Sequence, residues 1–131
     1  MNDFEKMDTY RGYKYAIWLN TRQGYRCGYV EIPEGHPLYE TVYYDLDIEA
    51  VPLTFGGKFK AVPGFWLGWD HNHLWDAADE DVIYKYHPDK AEEYVEFARS
   101  LHDGYGIVYS MEMVEKECQD LIDEIIQKYD N

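Results

Sequence analysis

The sequence predicts an α+β fold, an antiparallel β-sheet of about four strands packed on one face by two or three C-terminal helices. Two observations carry this. Short runs rich in aromatic and β-branched residues occupy the first half of the 131-residue chain, and amphipathic stripes of helical period occupy the second. Strands first and helices last is the α+β order. The length suits a single domain spanning residues 1–131, with residues 1–9 expected to fray.

The elements follow in chain order. Residues 13–19, YKYAIWL, and 25–31, YRCGYVE, flank the polar segment NTRQG and read as a β-hairpin. IPEGHPLYE, with two prolines and a glycine, reads as a shaped loop, since proline donates nothing to a ladder. In 41–51 Leu46, Ile48 and Ala50 alternate with Asp45, Asp47 and Glu49, which predicts a third strand with one acidic face. Gly56 and Gly57 predict a turn, and FWLGW, from Phe65 to Trp69, a further buried strand. Beyond Asp70 the pattern becomes helical. Asp89 is placed to cap a helix carrying Ala91, Tyr94, Val95, Ala98 and Leu101 on one stripe, with Gly104 ending it. Ser110 is placed to cap a last helix whose apolar face is Val114, Cys118, Leu121, Ile122, Ile125 and Tyr129.

Charge narrows the function classes. Of the net −14, residues 70–131 hold seventeen acids against five bases, and residues 1–69 nine against seven. Such a surface repels nucleic acid and anionic membranes and attracts basic partners at rates that fall with salt. No apolar run approaches the ~20 residues of a membrane span, and the N-terminus lacks the apolar core of a signal peptide, so a cytoplasmic protein is expected. Cys27 and Cys118 have no CxxC spacing and read as reduced core residues. Fourteen tyrosines suit half-buried contact surfaces, so a second copy of the chain is a candidate partner.

CGYVEIPEGHPLYE at 27–40, LTFGG at 53–57 and FWLGWDHNHLWD at 65–76 together resemble a family of small phage and prophage proteins, mostly of unknown function. That family pairs a G-Y-V-x-(V/I)-P-x-G-H-P-L-Y loop with a later W-x-(I/L)-G-(F/W)-D segment followed by a histidine. The resemblance maps its loop onto Gly28, Pro33, Gly35, His36, Pro37, Leu38 and Tyr39, and its second block onto Asp70 and His73. It implies a phage or mobile-element origin and no particular activity. Where the family often carries V-H-G-G-L-T, this chain reads AVPLTF, so a histidine expected near Pro52 is missing.

Four kinds of site are weighed. His71, His73 and Asp76 could contribute to a metal site, with His36 and Asp70 in the same pool, although no HExxH-type spacing supports it. His36 or His73 beside Asp70 could perform acid–base chemistry, but no nucleophile motif accompanies them. The plainer alternative is a capped strand end, with both imidazoles bonded to carboxylates or carbonyls. His87-Pro88-Asp89 resembles the loop of J-domain co-chaperones, yet the segment before it is short and acidic where that family has a long basic helix. Arg11, Lys14, Arg22 and Arg26, with Tyr39 and Trp69 as stacking walls, could hold a nucleotide-like signal, or the cations could pair with the acidic helices.

With no strong catalytic motif, the sequence points to a binding protein without a cofactor. Its expected partner is a basic host protein, such as a nucleic-acid-binding defence protein, whose groove an acidic, nucleic-acid-mimicking face would fill. Asp79, Glu80, Asp81, Glu112, Glu115, Glu117, Asp120, Asp123 and Glu124 are expected to form that face. A nucleotide sponge, or a metal- or histidine-dependent enzyme using His36, Asp70 and His73, is the second reading.

Overall fold

Period-two alternation decides which side chains the sheet buries. The computed structural model describes residues 4–130. Its strands are β1 (Phe4–Tyr10), β2 (Tyr13–Asn20), β3 (Tyr25–Ile32), β4 (Phe55–Lys58) and β5 (Phe65–Asp70), arranged β1-β2-β3-β5-β4 with every neighbouring pair antiparallel. The helices are α1 (Glu80–Tyr86), α2 (Ala91–Ser100) and α3 (Met111–Tyr129), so the fold is α+β as expected.

Tyr13, Tyr15 and Ile17 of β2, Val30 and Ile32 of β3, and Phe65, Leu67 and Trp69 of β5 share one face of the sheet. They pack on Val114, Cys118, Leu121, Ile122 and Ile125, the predicted stripe of α3. Ser110 caps that helix by accepting from the Met113 amide. Gly28 is paired with Trp69 across β3 and β5, and a Cβ there would sit 2.4 Å from Trp69 Cζ2, so only glycine lets the indole lie across the strand. Both cysteines are buried and unpaired, and burial pushes each thiol up to about 12.

α1 and α2 form a smaller cluster around Ile83, Ala91, Val95 and Ala98. It is tied to the β2–β3 turn by the Asp79 amide donating to the Gly24 carbonyl at 2.7 Å and by the His87 ring bonded to Thr21 Oγ1 at 2.8 Å. His87 and Pro88 therefore do the local work of joining two short helices.

Four expectations need correction. Residues 4–9 do not fray: they form β1, because Arg11 and Gly12 both adopt positive φ, 49° and 87°, and close a two-residue hairpin onto β2. Residues 1–3 lie outside the described part of the chain. The segment 41–51 is not a strand but a loop with one 3₁₀ turn, Tyr43–Asp45. Its amides at Glu49 and Ala50 donate to the Glu124 carboxylate of α3, so a side chain satisfies groups that a neighbouring strand would have satisfied. Gly56 and Gly57 are not a turn. They lie within β4, where a Cβ on Gly56 would come 3.1 Å from Tyr43 Cβ and one on Gly57 3.2 Å from the Phe55 ring. Finally, Asp89 does not cap α2; Lys90 holds that position without a side-chain bond, because Asp89 belongs to the tight turn that follows α1.

Candidate functional site

The histidine-rich end of β5 turns out to be a bonded knot. β5 stops at Asp70, so strand alternation ends there, and His71 and His73 both turn toward Asp76. His71 is buried, stacked on Tyr109 at 3.6 Å between centroids, and its Nε2 donates to Glu117 of α3 at 2.7 Å. The same Glu117 oxygen accepts Trp69 Nε1–H at 3.0 Å. His73 donates both its amide and its Nδ1–H to one oxygen of buried Asp76, each at 2.8 Å, and stacks on Trp75. Asp76 therefore draws His71 and His73 to one place, but as an acceptor of the His73 amide and Nδ1–H, with His71 Nδ1 at 3.9 Å and not hydrogen-bonded to it. Among the described residues, no group of three or more His, Cys, Asp or Glu side chains is arranged to hold a metal ion.

The catalytic trio His36, Asp70 and His73 is not assembled. His36 Nδ1 accepts the Leu38 amide, which leaves Nε2–H to donate to Asp130 at 2.6 Å, just past the C-terminus of α3. His71, two residues before His73, is bonded to Glu117, about 20 Å from Asp130 along the same helix at 1.5 Å per residue. Both imidazoles are instead bonded to carboxylates, as the capped-strand alternative expected. Asp130 is held below the usual carboxylate range: burial opposes ionisation, but bonds from Tyr13 and His36 outweigh it.

The stacking site of Arg11, Lys14, Arg22, Arg26, Tyr39 and Trp69 is likewise dispersed. Trp69 is buried in the core, and Tyr39 lies against Phe65 with Lys58 over its ring. Arg11 pairs with Asp123 on α3, Arg22 lies over Tyr94 of α2, and Lys14 is exposed on the sheet face opposite α3. Arg26 is buried and fully engaged, with Nε and Nη2 on Glu5 and Nη1 on Asp79 and the Tyr109 carbonyl. Two of these cations thus pair with acids of the helical half.

The nine carboxylates of the expected acidic face divide unequally. Asp79 accepts from Arg26 and caps α1, and Glu80 forms a bidentate pair with Arg99. Glu115 accepts from Lys6 and the Tyr15 hydroxyl, and Glu117 from His71 and Trp69. Asp120 pairs with Lys116, Asp123 with Arg11, and Glu124 with Lys128. Seven of the nine are therefore bonded within the chain, and only Asp81 and Glu112 remain uncommitted. The bonds hold carboxyls low: Lys6 and Tyr15 do so for Glu115, and Arg99 for Glu80. At Glu124 burial works against ionisation, and Lys128 with the Glu49 and Ala50 amides overcomes it.

Uncommitted acid collects elsewhere. In α1, α2 and the turn between them, Asp81, Asp89, Glu92, Glu93 and Glu96 have no ion-pair partner among the described residues. The same region carries exposed Tyr84, Tyr86 and Phe97, and the adjoining loops carry Trp75, Tyr105 and Ile107. Among the described residues, eight of the twelve large exposed hydrophobics fall within 74–108, which marks this lobe as the contact-prone part of the surface. A hollow of about 540 Å³ opens between it and the β2–β3 turn, with Arg22, Glu93, Glu96 and Phe97 in its walls. The sequence did hold a signal for this: Phe97 lies off the buried stripe of its own helix.

Fold and surface together define an α+β protein with a sheet-and-helix body and an acidic, aromatic helical lobe. Comparison with protein-family models, curated proteins and solved structures gives no match for the chain. Among the described residues, no helix is long and apolar enough to cross a membrane.

Proposed function

We propose that the protein is a small acidic binding protein whose α1–α2 lobe engages a basic partner protein. The observation that supports this most directly is the interleaving of uncommitted carboxylates, Glu92, Glu93 and Glu96, with the exposed ring of Phe97 on one short helix. A partner carrying arginine or lysine among apolar side chains matches both features, since aromatic anchors supply area and the acids supply steering and register. The phage-like sequence blocks favour a host protein that handles nucleic acid, its basic groove filled by carboxylates in place of phosphates. Relative to the sequence-based expectation, which joined residues 79–81 to the acids of α3, this reading puts the contact surface on α2 and its neighbourhood.

The test is affinity capture from a bacterial lysate with the wild type and with the triple variant Glu92→Gln, Glu93→Gln, Glu96→Gln. A specific partner should be retained by the wild type at low salt, released as ionic strength rises toward about 0.5 M, and lost from the triple variant. Equal retention by the variant at every salt concentration overturns the proposal.

A further inference from the structure

The face of the sheet turned away from α3 carries a second group of aromatic side chains, independent of the helical lobe. Strand register sets it out as rows. Phe4, Trp18, Cys27 and Asp70 are successive partners across β1, β2, β3 and β5. The next row runs Met7, Ala16, Tyr29, Gly68 and Phe55. Rings alternate with small residues. Tyr29 lies over Gly68, where a Cβ would meet Tyr29 Cδ1 at 2.4 Å, while Ala16 and Cys27 leave space between the rings. After β4 the chain folds back over this face and sets Phe59 edge-to-face against Tyr29, with centroids 5.1 Å apart and planes at 88°. Phe4 meets Tyr29 at 6.4 Å, also at 88°. The result is a hollow of about 320 Å³ walled by Phe4, Trp18, Tyr29, Phe59, Ala61 and Val62.

We propose that this hollow binds an organic cation, a quaternary or otherwise alkylated ammonium head group. Aromatic faces carry negative potential, and several rings meeting at right angles around a small space are the arrangement that attracts such cations. Among the described residues no ionised side chain is in the walls, so an anionic ligand finds no counter-charge from them. Asp70 is the carboxylate that ends the Phe4–Trp18–Cys27 row. Among the described residues Asp70 touches the Thr54 hydroxyl, the Asn72 amide and, at 3.9 Å, His73, and forms no ion pair with a lysine or arginine. Burial pushes the Cys27 and Tyr29 groups up; Asp70 adds to the shift of Cys27 and, behind Cys27 and Tyr25, to that of the wall residue Tyr29. The volume lies at the lower end of ordinary ligand pockets, enough for a trimethylammonium group and a short stem.

The ligand pair choline and 3,3-dimethyl-1-butanol separates charge from shape, because the alcohol is a neutral isostere of the cation. Calorimetric titration of the full chain, at ionic strength matched with sodium chloride, should show choline binding about tenfold more tightly than the alcohol. Tryptophan fluorescence should change along the same isotherm. Phe59→Ala should weaken choline binding about tenfold while still unfolding cooperatively, its thermal midpoint lowered by the lost ring contacts to Tyr29, Phe55 and Trp66, and Asp70→Asn should weaken binding severalfold while leaving the alcohol unaffected. Equal affinity for the two ligands, no binding of choline at millimolar concentration, or full binding by the Phe59→Ala protein would each overturn the proposal. None of these outcomes bears on the α1–α2 surface.

Discussion

α2 and α3 are both amphipathic and both rich in acidic side chains, glutamates alone on α2 and glutamates with aspartates on α3, yet their acids do opposite things. On α3, Glu115, Glu117, Asp123 and Glu124 turn back to Lys6, Tyr15, Trp69, His71, Arg11 and the amides of residues 49 and 50, stitching the helix to the sheet and its loops. On α2, Glu92, Glu93 and Glu96 form no ion pair among the described residues, and Phe97 stands beside them in solvent. The difference teaches that a count of negative charge measures neither stability nor availability. A carboxylate near tyrosine hydroxyls, indole N–H groups and buried amides is an acceptor for the fold, whereas one on a short peripheral helix is surface.

The sharpest break between the two regions should come at their junction. Arg26→Met leaves Glu5 and Asp79 facing each other's former partner with no cation, and frees the Tyr109 carbonyl. Because the guanidinium is buried and the acids are only partly exposed, denaturant unfolding should show a loss of about 3 kcal/mol. Next in size is Glu124→Gln on α3. It removes the charge that Lys128 and the two loop amides share, and should cost about 1–2 kcal/mol in the same measurement.

The acid limb of stability provides a third test. Glu115, Glu124 and Asp130 are held below their ordinary values in the folded protein. A depressed folded value means a contribution fully present above the unfolded carboxylate range of about 4, and lost as pH falls through the lower folded value. Unfolding free energy should therefore drop on acidification below that range. Glu124→Gln should be less stable than the wild type near pH 7 and converge toward it in acid; parallel curves at all pH would show that the bond contributes nothing to the linkage. The smallest effect belongs to α2. Glu92→Gln, Glu93→Gln and Glu96→Gln together should move stability by no more than about 0.5 kcal/mol in all, because no hydrogen bond or ion pair among the described residues is lost. If that variant unfolds as readily as Glu124→Gln, the contrast between the helices fails.

What the sequence revealed follows the range of the interactions concerned. The β2–β3 hairpin, β5 and the Ser110-capped α3 are legible because pattern, cap and turn lie within a few residues of one another. So is the gathering of His71 and His73 on Asp76, since the three lie within six residues. β1 is hidden because its helix-side positions are Lys6 and Asp8, which meet polar partners at the sheet edge, and because Arg11-Gly12 is not an obvious hairpin dipeptide. The 41–51 segment misleads for the opposite reason. Its alternation is real, since Leu46 and Ile48 do pack on the core, but the partner of its backbone is Glu124, more than seventy residues away. The same blindness to distance made α3 look like the open acidic face, since nothing near Glu115 or Glu117 in the chain announces Lys6 or His71.

Arg26 belongs to neither α1 nor α2, yet it and the Gly24 carbonyl hold Asp79, the residue at which the lobe begins. The lobe is thus hung from a strand of the body by contacts that lie outside its own exposed surface. Positions such as Glu92, Glu93, Glu96 and Phe97 can accordingly be randomised to search for new specificities while the suspension point stays in place. That separation of mounting from display is the property sought in scaffolds for engineered recognition.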